Sequence, residues 1–311
     1  MGWKFISFTS LRDVARPRTF IPEPLIEPQL RWLYVVWFSS AAIALGLIIA
    51  TRFTVTTSAI FVFATPVYLI IAGMLCRRIG RPKLGSALEG LGLYYSLALI
   101  LMFVLFPLTA MSGPYADAIL SSWDRAIGFD WHSYLEITRP YTKLLLLIYN
   151  SFGWQPALVI LVLAARNSQN ILRQFLMALS FAAAMTALIF PFLPAKAPFE
   201  FYGITQDIYP ELIATGTRDF LPLMDAVKNG ARVISPETFT GVVAFPSFHA
   251  ACALLFAWAL WNVPYLRWPV ALLNIAMIAS TPVIGNHYLV DVFAGLVIGF
   301  IAILLARNVI A

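Results

Sequence analysis

Two of the chain's three histidines lie in short stretches where apolar segments begin, Phe245-Pro246-Ser247-Phe248-His249 and His287-Tyr288-Leu289-Val290-Asp291. Pro246 cannot continue a helix from its N-terminal side, and Ser247 is a favoured N-cap. The stretch therefore predicts a helix capped by Ser247, with Phe248, His249 and Ala250 in its first turn. Backbone N–H groups and the positive end of the helix dipole would then point outward beside His249, which suits a phosphate. His287 and Asp291 are four residues apart, so on a helix they share a face. An Asp one turn inside an apolar span costs roughly 2.5–3.5 kcal/mol on insertion scales, and something must compensate for it. A carboxylate accepting the ring N–H of His287 fixes its tautomer, leaves the other nitrogen free as a nucleophile and stabilises the cation that follows. Taken singly, His249 also fits an interfacial residue at a helix start, and Asp291 with His287 fits glue between helices. Their joint occurrence singles out His249, His287 and Asp291 as a catalytic set.

The elements that must position them are set by composition. With 60% hydrophobic, 14% aromatic and 12% charged residues, the chain is too apolar for an ordinary soluble protein. The expected fold is all-α, a polytopic membrane helical bundle. A crossing needs roughly 20 apolar residues, and runs of that order are read at 32–50, 54–75, 88–111, 144–165, 174–194, 249–265, 268–286 and 288–306, about eight transmembrane helices. Residues 1–31 read as a basic cytoplasmic tail, with Lys4, Arg12, Arg16, Arg18 and Arg31 among several prolines. No run there is long enough for a cleavable signal peptide, and the cations suit anionic lipid headgroups. Gly2 invites a myristoylation reading, but Ile6 occupies the place of the required Ser or Thr.

An even number of spans puts both termini on one side. That side then holds thirteen of the 21 Lys and Arg, mostly in short loops, which predicts cytoplasmic termini. The loops at 112–143 and 195–248 and the turn near 286 then face periplasm or lumen, together with both motif histidines. Cys76 and Cys252 fall at different depths and are not expected to pair. No His/Cys spacing suggests a metal site, and no metal or cofactor is expected. The basic pI near 9.4 fits membrane orientation and carries no nucleic-acid inference.

The motif residues also carry a resemblance. Ser247-Phe248-His249 resembles the Pro-Ser-x-His motif of the type 2 phosphatidic acid phosphatase superfamily, and Ser280 with His287 and Asp291 resembles its third motif. The resemblance implies that His287 attacks phosphorus to form a phosphohistidine, Asp291 supports it, His249 protonates the leaving alkoxide, and Ser247 helps hold the phosphate. It implies a six-helix phosphatase-like core over 112–306, accessory transmembrane helices over 32–111, and the site at the outer face. Two departures stand out. Thr281 occupies the place of the usual Arg after the third-motif Ser, and the first motif, Lys followed after six residues by Arg-Pro, is absent. Ser280-Thr281-Pro282 followed by Gly285-x-His287-Tyr288 resembles the branch of aureobasidin-sensitive inositol phosphorylceramide synthases. That branch implies transfer of a phosphoryl or phospho-headgroup to a lipid alcohol, whereas the wider superfamily implies a phosphatase with water as acceptor.

A phosphoryl group in transfer needs positive charge around its equatorial oxygens. The loop before the second motif offers Lys196, Arg218, Lys228 and Arg232, and Lys196, Lys228 and Arg232 are the expected phosphate-binding cations. Expected partners are a phospholipid or lipid phosphate donor, a lipid alcohol or water as acceptor, and the bilayer itself. In the other long loop Tyr115, Ile119, Trp123 and Ile127 recur at four-residue spacing, the stripe of a helix lying in the interface. Such a helix either anchors the bundle or roofs the site. His132 shows no partner at close spacing. Glu89 is expected to snorkel or to sit in a first helical turn. A transporter reading would need an internal repeat with broken helices at the midplane, and none is evident.

Overall fold

The computed structural model describes residues 30–205, 207–210, 212, 220–239 and 243–310. Residues 1–29 of the basic tail and Arg218 lie outside these, and Arg31 opens the first helix. The regular structure of the described chain is helical except for one pairing of two-residue strands. Its helices are α1 Arg31–Ala50, α2 Thr57–Phe61, α3 Ala64–Arg78, α4 Pro82–Met111, α5 Asp117–Ala126, α6 Trp131–Thr138, α7 Thr142–Asn150, α8 Gln155–Ala165, α9 Gln169–Ile189, α10 Pro198–Phe201, α11 Phe220–Lys228, α12 Phe248–Leu260, α13 Arg267–Ile284 and α14 Leu289–Val309. Strands β1 Thr54–Val55 and β2 Val233–Ile234 pair in parallel.

Among the described residues six helices or helix pairs are long and apolar enough to cross a membrane: α1, Thr57–Arg78, α4, Gln169–Phe192, α13 and α14. This is an integral, multi-pass membrane protein. Two of the eight expected spans differ from their reading. Residues 144–165 belong to a helix pair, Trp131–Gly153 and Gln155–Ala165, bent by 50° at the break, because Pro156 opens α8 where it has no use for a backbone N–H. The span read at 249–265 is only the 13-residue α12, which starts at Phe248 and ends at Leu260; beyond it the chain turns through Pro264 into α13, so apolar composition outruns helix length.

The core is a layer of α4, α8, α9, α12 and α14, with α13 and α7 packed on the α12 side and α1 and α3 on α4. Phe175, Met177, Phe256, Leu255 and Ala302 are completely buried at its centre. Association in lipid depends on close packing more than on hydrophobic burial, and α12 meets α14 through small residues. A Cβ on Gly299 would stand 2.8 Å from the carbonyl oxygen of Ala251.

One end of the bundle gathers the segments that follow α1, α4, α9 and α13. β1 pairs with β2 there, Lys228 Nζ donates to Ser112, and the Phe199 N–H donates to Asn286. At the opposite end Glu89 is 2% exposed. It accepts from the Tyr34 hydroxyl and from both terminal nitrogens of Arg77. Glu89 therefore does not snorkel; a carboxylate in an apolar layer needs a buried counter-ion, and Arg77 of α3 supplies it.

Candidate active site

Ser247 caps α12 as its residue type dictates, its Oγ accepting the Ala250 N–H at 3.4 Å. Its own N–H donates to the Asp291 carbonyl oxygen at 3.0 Å, so the starts of α12 and α14 are tied directly. One turn into α14, a Cβ on Gly295 would lie 2.1 Å from the Ser247 carbonyl oxygen. Only glycine lets the two helix starts come this close.

His287 and Asp291 meet, though not on one helix. α14 begins at Leu289, and His287 lies in the turn before it. Asp291 Oδ2 accepts the Tyr288 N–H at 2.9 Å, the acidic half of a capping interaction, and the same oxygen lies 3.3 Å from His287 Nδ1. The cap, and not a shared helical face, makes the pair. Nδ1 is thus the nitrogen that donates, and Nε2 is turned to Ser247 Oγ at 3.4 Å. His287 is 4% exposed, and Asp291 and Ser247 are completely buried.

His249 is held by stacking. Tyr149 of α7 lies against it at 4.4 Å between ring centroids and 15° between planes, and Phe152 at 4.0 Å and 36°. A Cβ on Gly285 would meet the Tyr149 hydroxyl at 2.8 Å and His287 Cδ2 at 2.9 Å. Tyr149 therefore stands beside both imidazoles, and Gly285 provides the room.

The segment over residues 117–131 supports this turn. Ile119, Trp123 and Ile127 do form an exposed apolar stripe. The opposite face of α5 is polar and buried: Asp117, Ser121 and Asp124, at spacings of four and three. Asp124 accepts the N–H groups of Leu289 and Val290, both at 2.9 Å. Burial pushes its carboxyl above the ordinary range, and those two bonds pull it back. Asp117 accepts from the Lys196 and Ala197 N–H groups at 2.9 Å and from the Tyr288 hydroxyl at 3.0 Å; burial and Asp117 together push that phenol upward. Trp131 is 1% exposed, and its indole N–H is shared between the carbonyls of Pro282 and His287 at 3.2 and 3.1 Å. The site roles of Asp117, Asp124, Trp131 and Tyr149 carry no motif of their own in the sequence. The available signal was the buried polar spacing within an apolar chain, where ionisable groups face the bundle interior.

The expected phosphate cations lie around, not on, the histidine pair; among the described contacts none joins Lys196, Lys228 or Arg232 to His249 or His287. Lys228 Nζ donates to Ser112 Oγ, Ser112 O and Gly113 O at 2.8, 3.2 and 2.7 Å, and burial pushes its ammonium downward against the opposing pull of Asp225. Arg232 donates to the Val227 and Ala231 carbonyls and covers the Phe53 ring. Lys196 Nζ is 3.7 Å from Asp225 Oδ2 and 5.2 Å from the centre of the Tyr115 ring. Thr281, in the place of the missing Arg, donates to the Met277 carbonyl at 2.8 Å, as does Ser280 at 2.7 Å. His132 lies 3.5 Å from the Tyr209 hydroxyl, away from the pair.

A family model described as the PAP2 superfamily matches residues 118–305. The chain belongs to the PAP2 superfamily. No curated protein and no solved structure matches it. Membership makes this a membrane enzyme of the phosphatase type acting on lipid phosphates. The matched segment begins inside α5, so the PAP2 region includes Asp124 and Trp131 as well as the histidine motifs.

Proposed function

We propose that this PAP2 protein is a lipid phosphotransferase working through a phosphohistidine on His287. The carrying observation is the division of the His287 ring, with Nδ1 toward Asp291 and Nε2 toward Ser247. In the first step the Nε2 lone pair forms a bond to phosphorus, the phosphorus–oxygen bond to the leaving group breaks, and His249 gives that oxygen a proton. Asp291 stabilises the ring's positive charge. In the second step an acceptor hydroxyl attacks phosphorus, His249 takes its proton, and the nitrogen–phosphorus bond breaks, restoring neutral His287. Ser247 Oγ donates to a phosphoryl oxygen.

Among the cations we assign Lys196 to the phosphate. Its ammonium has a long contact with Asp225, and its backbone joins the site through Asp117 and Tyr288. Lys228 and Arg232 spend their donors on backbone and hydroxyl oxygens.

The acceptor is a lipid alcohol, such as a diacylglycerol or ceramide hydroxyl, and the transferred group resembles the phospho-headgroup of the inositol phosphorylceramide synthase branch. The near-complete burial of His287, Ser247 and Asp291 supports this, since a closed site protects a reactive intermediate from water. The site faces periplasm or lumen, as in a bacterial inner-membrane enzyme with cytoplasmic termini. The test uses protein in mixed micelles with phosphorylated lipids, with and without lipid alcohol, beside His287→Ala. New phospholipid that requires acceptor and vanishes in the variant supports transfer; free phosphate independent of acceptor makes the enzyme a phosphatase.

A further inference from the structure

The turn carrying His287 is held from outside the two histidine motifs. Four backbone N–H groups open α14, and their acceptors are all known: Tyr288 donates to Asp291 Oδ2, Leu289 and Val290 to the two oxygens of Asp124, and Asp291 to the Tyr288 carbonyl. Asp124 is 1% exposed and comes from α5, more than 160 positions earlier in the chain. With an N–H on each oxygen, it is satisfied as a carboxylate. A helix N-terminus is positive and lowers the basicity of an imidazole beside it. A buried carboxylate on the same N–H groups opposes that field.

We propose that Asp124 is a positioning residue for His287: by binding the first-turn N–H groups of α14 it fixes the turn bearing the imidazole and offsets the positive helix end beside it. This rests on the phosphohistidine reading for its consequence in turnover, and on geometry alone for its effect on the ring. The titratable groups around His287 are Asp291 on α14, Asp124 and Asp117 on α5, Tyr288 at the start of α14, Tyr149 on α7 and His249 on α12. Of the carboxylates, Asp291 touches the ring, Asp117 is occupied by the Tyr288 hydroxyl, and Asp124 reaches His287 only through backbone. Its charge is also felt across space by the Asp291 carboxyl.

The sign follows from the chemistry. Asp124→Asn removes the negative charge and leaves an N–H₂ group facing one backbone N–H. The positive helix end is then less opposed, and His287 becomes less basic. The nucleophile must be neutral, so the ascending limb of the kcat/KM profile moves to lower pH, by about half a pH unit or more. At its plateau kcat falls about ten- to a hundredfold with little change in KM, since the turn is no longer fixed in the reacting position. Asp124→Glu keeps the charge and misplaces it, so its rate falls while the limb stays. Trp131→Phe, which removes a neutral donor from the same turn, also lowers kcat without moving the limb.

The experiment pairs these profiles with the ring titration of His287 by nitrogen-15 histidine NMR on full-length protein in micelles. Only His132 and His249 need to be distinguished from it. A lower titration midpoint in Asp124→Asn and an unchanged one in Asp124→Glu and Trp131→Phe supports the proposal, even if no substrate turns over, in which case the phosphotransferase reading fails alone. An unchanged midpoint in Asp124→Asn with an equal rate loss in all three variants reduces Asp124 to a fold contact and overturns it. Should Asp124→Asn not fold, a midpoint displaced in Asp124→Glu as far as in His249→Ala would overturn it as well.

Discussion

Ser247 Oγ and His287 Nε2 lie 3.4 Å apart across 40 positions of sequence. The hydroxyl faces the one ring nitrogen that Asp291 does not hold. In the proposed mechanism that hydroxyl is the donor to the non-bridging oxygens of the phosphoryl group, beside the nitrogen assigned the attack. Ser247→Ala is expected to lower kcat by about a hundredfold through the lost donor, while the lost cap costs stability of about 1 kcal/mol. Steady-state turnover and thermal unfolding in the same micelles separate the two. Equal activity in Ser247→Ala and wild type would assign Ser247 to capping alone.

The closeness of α12 and α14 makes Gly295 a sensitive position. Gly295→Ala must push the Ser247 carbonyl away from 2.1 Å, at a cost of about 1–3 kcal/mol for an overpacked contact. Activity should fall further than stability, because the helix starts that carry Ser247 and Asp291 are packed through this contact. Gly46→Ala in α1, with nothing within 4 Å, is the comparison and should leave the unfolding temperature unchanged or slightly raised.

The Glu89–Arg77–Tyr34 cluster lies at the end of the bundle away from the site. Breaking a buried ion pair by removing one partner costs about 3–5 kcal/mol. Glu89→Ala should therefore lower the unfolding temperature sharply, and turnover per folded molecule should persist. A variant as stable as wild type would show that Arg77 finds water instead.

Lys196 and Lys228 should separate in their effects. Lys196→Met is expected to raise KM for a lipid phosphate at least tenfold. Lys228→Met should reduce stability by releasing the loop at Ser112 and Gly113, with KM little changed. pH provides a second check on Lys228. Its folded-state pKa is depressed, so between that value and its unfolded value the unfolded chain binds more protons. Stability then rises with pH across this alkaline window. Unfolding temperatures measured through it should rise in wild type and not in Lys228→Met.

Much of this arrangement is legible in the residues themselves. Ser247 after Pro246 specifies a capped helix start, and it is one. His287 and Asp291 announce a pair, yet their spacing suggests a shared helical face where the chain instead makes a turn and a cap. Asp117 and Asp124 are unreadable as site residues from local pattern alone, because their partners at the start of α14, the Tyr288 hydroxyl and the Leu289 and Val290 N–H groups, lie more than 160 positions away. The stripe of Ile119, Trp123 and Ile127 draws attention to the wrong face of that helix. In lipid the apolar face looks outward and the polar face carries the structure. Glu89 misleads in the same way, since its partner Arg77 reads as an ordinary inner-side cation until α3 and α4 are packed together.

In the proposed mechanism His287 carries the phosphoryl group. The direct measurement incubates wild type and His287→Ala with a lipid phosphate labelled with phosphorus-32, quenches in alkali within the first turnover, and maps the label by proteolysis. The expected result is an alkali-stable, acid-labile label on the peptide containing His287, absent from the variant, which also loses turnover by at least about a thousandfold. Wild-type turnover with no such label, or full activity in His287→Ala, would contradict it.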